Sequence, residues 1–175
     1  MKPTHLFVAA AFIAGCSSAP PTGVRTAATP PSCSGGVVRS DAELQRYAGC
    51  RVVGGHLDLR GVSSLLPLHS LERVDGTFRI EQTDRLYSLA GLERLRSVDT
   101  LDLRDNASLI SGGALRHLSH VRRTHLSNNP RLTKTYGILD ALEKTCGDVY
   151  LSNNPGLSAE GVPESDVLAG AVATR

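Results

Sequence analysis

Between residues 57 and 151 the chain alternates apolar and polar positions in five short bursts. They are Leu57-Asp58-Leu59, Phe78-Arg79-Ile80, Leu101-Asp102-Leu103, Thr124-His125-Leu126 and Val149-Tyr150-Leu151. Each burst sets one outward residue between two inward ones, the pattern of a short strand with one face buried. Successive bursts start 21, 23, 23 and 25 residues apart. Six residues past the second inward position stands a leucine each time: Leu65, Leu86, Leu109, Leu132 and Leu157. Apolar residues then recur about every three positions, as in Leu86, Leu89, Leu92, Leu95 and Val98, or Leu109, Leu115, Leu118 and Val121. A period of three predicts a 3₁₀-like return path with one stripe facing a core. In the fourth unit Ile138, Leu139 and Leu142 suit a short helix.

The string Leu-Ser-Asn-Asn-Pro occurs twice, from Leu126 and from Leu151. A self-repeat of this period marks a solenoid, in which each unit buries its apolar face against the next. Val98-x-x-Leu101-x-Leu103-x-x-Asn106 resembles the leucine-rich repeat, and Val121 to Asn129 and Cys146 to Asn154 follow the same form. The resemblance implies that Asn106, Asn129 and Asn154 form a turn ladder, their amides satisfying backbone groups of adjacent coils. Pro130 and Pro155 then turn the chain away.

Two departures narrow the family. The spacing after the Asn is one residue longer than usual, as in Asn-Asn-Pro-Arg-Leu, and Val62 and Thr83 replace the Asn in the first two units. Both traits resemble the receptor L domain, the ligand-binding solenoid of growth-factor receptors. So does the entry "CSGGVVRSDAELQRYAGCRVVGGHLDL". The expected fold is a short right-handed parallel β-solenoid of about five leucine-rich-type coils with an N-terminal capping helix, over 33–157. Ser40 with Glu43 forms a capping-box signature, so the helix starts there and turns Leu44 and Tyr47 inward.

Cys33 and Cys50 bracket that helix. In an exported chain they are read as a disulfide, contributing about 3 kcal/mol in the chain-entropy model. Cys146 falls on the inward column of Val98 and Val121, and is read as a small buried apolar residue.

The first residues carry Lys2 and then an apolar run too short to span a bilayer. Ile13-Ala14-Gly15-Cys16 resembles the lipobox of bacterial lipoproteins. That resemblance implies a signal peptide over 1–15 and lipidation at Cys16, with membrane attachment through the acyl chains. Residues 16–32 are rich in Ser, Thr, Pro and Ala and read as a disordered tether. Residues 158–175 read as a low-complexity tail. The implied place is the cell envelope, and Ser17 after the lipid-bearing Cys points to the outer membrane.

Removal of Lys2 with the signal takes the formal charge from +2 to +1. With no Trp and few aromatics, neither charge nor stacking surface suits a nucleic acid. No nucleophile elbow, zinc-protease or phosphate-loop motif is present, and no cofactor is expected. His117 and His120 flank inward residues and are read as exposed rather than as metal ligands. Asp99, Asp102 and Asp105 are not expected to converge, because a strand turns alternate residues to opposite sides.

Stacking the units in register gives two outward columns. One is Asp58, Arg79, Asp102, His125 and Tyr150; the other is Arg60, Glu81, Arg104, Ser127 and Ser152. Their first three members alternate in sign, which predicts a self-neutralising, solvated face. Arg123, His125 and Tyr150 break the pattern, with no matching run of acids, and are the candidate ligand-binding residues. The expected function is non-catalytic binding of a protein or glycan, as the L-domain resemblance implies. The alternative is a structural envelope lipoprotein with no discrete ligand.

Overall fold

The structure is a computed structural model and describes residues 31–133 and 148–157. Cys16, Cys146 and the suggested helix at Ile138, Leu139 and Leu142 lie outside these residues. So do the signal segment, all of the tether before Pro31, and the tail.

Among the described residues, six strands form one sheet in sequence order, every neighbouring pair parallel. They are β1 (Ser32–Val38), β2 (Val52–Arg60), β3 (Arg73–Glu81), β4 (Ser97–Arg104), β5 (His120–Ser127) and β6 (Asp148–Ser152). A parallel pair needs a connection of about a dozen residues or more, which 61–72, 82–96 and 105–119 supply. The arrangement is compatible with a parallel β-solenoid.

The connections follow the three-residue apolar period. Leu68 N–H donates to Leu65 O and Leu71 N–H to Leu68 O, each at 2.8 Å. The same i to i+3 step joins Leu92 to Leu89 at 3.1 Å and Leu118 to Leu115 at 3.0 Å. All of these leucines are buried. A three-residue turn returns each leucine to one line, so the period builds the wall opposite the sheet. Phe78, Ile80, Leu101, Leu103 and Leu126 face that wall from the strands, also fully buried.

Successive connections are tied by backbone bonds. Glu72 N–H donates to Arg51 O, Arg96 N–H to Glu72 O and Ser119 N–H to Arg96 O, at 2.8–2.9 Å. Outside this line, a two-pronged ion pair links Arg51 and Glu72.

Two corrections concern the N-terminal side. Five strands were expected, and β1 is a sixth; Ser32, read as the end of the tether, opens it. Its Gly35 and Gly36 carry no apolar signal. Gly35 is required by space, since a β-carbon there would lie 2.1 Å from His56 O of β2.

After β1, α1 (Asp41–Leu44) starts at Ser40, whose Oγ accepts from Glu43 N–H at 3.2 Å. Glu43 reaches one residue further back than in the usual box, accepting from Arg39 N–H at 2.7 Å. A 3₁₀ turn (Gln45–Tyr47) follows, and Leu44 and Tyr47 are buried. The Cys33–Cys50 disulfide ties β1 to the end of this segment.

Candidate ligand-binding face

The strand register fixes the outward columns. Asp58 lies beside Arg79, Arg79 beside Asp102, Asp102 beside His125, and His125 beside Tyr150. Arg60, Glu81, Arg104, Ser127 and Ser152 follow in the same way.

The first column is not solvated throughout, which corrects the sequence-based expectation. Asp102 is buried at 1% exposure. Arg79 Nε donates to Asp102 Oδ2 at 3.0 Å, and Arg104 Nε donates to Oδ1. Two guanidinium groups thus bond the same buried carboxylate. The hydrogen bond to Asp102 raises the Arg79 pKa above its ordinary value, and Asp58 adds to this. Asp58 stands 3.8 Å from Arg79, and Arg60 pairs with Glu81. Asp99 pairs instead with Arg122 at 2.9 Å, and Asp105 accepts from Asn128. The three aspartates thus have separate partners.

At the β5–β6 end ion pairing gives way to a ring contact. His125 and Tyr150 stack with centroids 4.7 Å apart and planes within 8°. Tyr150 remains 40% exposed. Burial pushes the His125 pKa below its ordinary value; Asp102 opposes that, while Arg104, Arg123 and Arg79 reinforce it. Arg123 is exposed two residues before His125. The register sets one acid, Asp148, beside it.

The turn behind this face holds a polar ladder. Asn106 Nδ2 donates to Ile80 O at 2.9 Å, Asn129 Nδ2 to Leu103 O at 3.0 Å, and Asn154 Nδ2 to Leu126 O at 2.8 Å. Each amide oxygen accepts from the preceding rung: Asn129 Oδ1 from Asn106 N–H and Asn154 Oδ1 from Asn129 N–H. Asn106 and Asn129 are fully buried, and Asn154 is partly so. Thr83 joins the ladder by donating to Asn106 Oδ1 at 2.6 Å. Thr83 is a polar residue at the Asn position, a signal that the sequence does carry.

One residue earlier runs a second column that sequence reasoning missed. Gln82, Asp105, Asn128 and Asn153 have φ of 53–54°, and Gly61 has 60°. Asn and Asp tolerate this left-handed conformation better than most residues.

His117 and His120 are exposed. A groove of about 510 Å³ lies at the other end of the sheet, lined by Ser32, Cys33, Ser34, Val52, Gly54, Arg73 and Asp75. It holds none of the candidate ligand-binding residues. A comparison with protein-family models finds no match, and one with curated proteins finds none.

Proposed function

We propose that this chain is a lipid-anchored protein of a bacterial cell envelope that presents a non-catalytic binding face to a protein or glycan. The observation that carries this reading is the His125–Tyr150 stack, with Tyr150 exposed and the exposed Arg123 beside it. Tyr and Arg are the side chains enriched where binding energy concentrates. The likeness of the repeats to the receptor L domain supports the same use.

In this reading the sheet belongs to a right-handed solenoid of about five leucine-rich-type coils, and α1 closes its first end. Parallel crossovers are right-handed almost without exception, which supports the hand. The burial of Leu44 and Tyr47 supports the cap, because a solenoid end otherwise exposes its core. Lipid on Cys16 anchors the chain, and residues 16–31 act as the tether. The outer membrane is the proposed location.

The rival reading is a structural envelope lipoprotein with no discrete ligand. The ion pairing across β2 to β4 favours it, since those charges satisfy one another. Capture from intact envelopes separates the two. The parent protein should retain a partner that Arg123→Ala, His125→Ala or Tyr150→Ala loses. Equal capture by all four proteins would sink the binding reading. Fractionation tests the anchor: Cys16→Ala should leave the membranes, and its persistence there would refute lipid attachment.

A further inference from the structure

We propose that the Tyr150 end of the face takes a sugar ring of an uncharged oligosaccharide or polysaccharide; this rests on the binding reading above. The first observation is the ring geometry. His125 covers one face of Tyr150 in a nearly parallel stack. Because β6 is the last of the described strands, the opposite face of Tyr150 looks away from β5. An aromatic face carries negative charge density, and the polarised C–H bonds of a sugar ring pack on it. The stacked His125 holds the tyrosine ring against rotation, so little order is lost on binding.

The second observation is charge. The outward columns carry Arg60, Arg79 and Arg104, each paired with a carboxylate among Asp58, Glu81 and Asp102. Arg122, close by, is bound to Asp99. An anionic partner needs unmatched cations; of the arginines here only Arg123 has no ion pair, and the register sets Asp148 beside it. The complementary ligand therefore has no net charge.

The third observation is the polar rim. Ser127 and Ser152 lie side by side, two residues beyond the stacked pair, and Asp148 lies two residues before Tyr150. Residues two apart on a strand share a face at about 6.6–7 Å. Hydroxyls and a carboxylate at that distance suit the hydroxyls around a ring. The depressed His125 pKa agrees with this, since a neutral imidazole leaves the tyrosine face electron-rich.

The test uses the full-length protein in detergent. Neutral probes are cello-, chito- and manno-oligosaccharides; anionic probes are polygalacturonate and heparin. At least one neutral probe should bind. Tyr150→Ala should weaken it about tenfold, the loss of one stacking contact, while Tyr150→Phe should keep it. Raising salt about tenfold should leave the affinity unchanged, because no counterions are released. Binding of the anionic probes alone, with a steep salt dependence, would overturn the proposal. So would neutral binding that Tyr150→Ala leaves intact, or no neutral binding at all. Envelope capture keeps the two levels apart. A protein partner lost with Tyr150→Ala leaves the binding reading standing and removes the sugar. No difference between parent and variant removes both.

Discussion

Asn129 and Asn128 are adjacent and chemically identical, yet the fold asks different things of them. Asn129 is fully buried. Its amide donates to Leu103 O and Asn154 Oδ1, and accepts from Asn106 N–H and Asn106 Nδ2. Asn129→Ala strips two buried backbone groups, Leu103 O and Asn106 N–H, of these partners. Each such group costs about 1–3 kcal/mol. A loss of about 3 kcal/mol is expected, near the low end of the sum, because partial relaxation and water entry return some of it. Asn128 is exposed; its side chain donates to Asp105 at 2.8 Å and accepts from Asn153 at 2.9 Å. Its φ of 54° is the larger constraint. Asn128→Ala should cost about 1–2 kcal/mol, since alanine keeps the β-carbon that crowds the left-handed conformation but lacks the short polar side chain that offsets it by local hydrogen bonding. Glycine separates the two causes. Asn128→Gly should recover most of that loss, whereas Asn129→Gly should be no better than Asn129→Ala. Urea unfolding reads the difference: at a slope of about 1–3 kcal/mol per molar, Asn129→Ala should lower the midpoint by about 1 M or more. If glycine rescues Asn129, or fails to rescue Asn128, the division between buried ladder and left-handed column is wrong.

Two further outcomes follow from the packing and from the titrations. Gly35→Ala should destabilise the protein by several kcal/mol, on the order of an overpacked core site, because its β-carbon meets the His56 carbonyl; Gly49→Ala has no such neighbour and serves as the control, its φ of 83° giving only a conformational penalty, and equal midpoints would refute the close approach of β1 to β2. The lowered His125 pKa has a definite sign. The unfolded chain binds the proton first, so stability should fall as pH drops below about 6.5 toward the folded value. His125→Gln should flatten that slope between neutral pH and about pH 5, with Asp41 acting only lower. Asp41 is lowered from 3.8 by its bond to Ser63, so its contribution is lost further down. An unchanged slope in His125→Gln would show that the imidazole is not desolvated in the fold.

What the sequence revealed, and what it hid, divides along one physical line. The strand bursts and three-residue leucine period are legible because burial at each such position is decided locally. Leu57, Leu59, Phe78 and Ile80 alternate with charges, and no other register hides them all. The outward columns follow from the same spacing, so Tyr150 could be set beside His125 from the sequence alone. Their parallel stacking could not, because ring orientation depends on neighbouring coils. Asp102 shows the limit more sharply. Its place in the column marks it as exposed, like Arg79 and Arg104. It is buried where those two side chains bond it, an arrangement that depends on two neighbouring strands at once. Charge alternation therefore meant something other than mutual screening in water. A carboxylate held by two guanidinium groups is a fixed structural joint, and it leaves the cations of β3 and β4 already engaged. Any ligand must then find its energy further along the column, where the charges end and the rings begin. That is why the stack, rather than the more conspicuous run of charged residues, is the part of this face to test first.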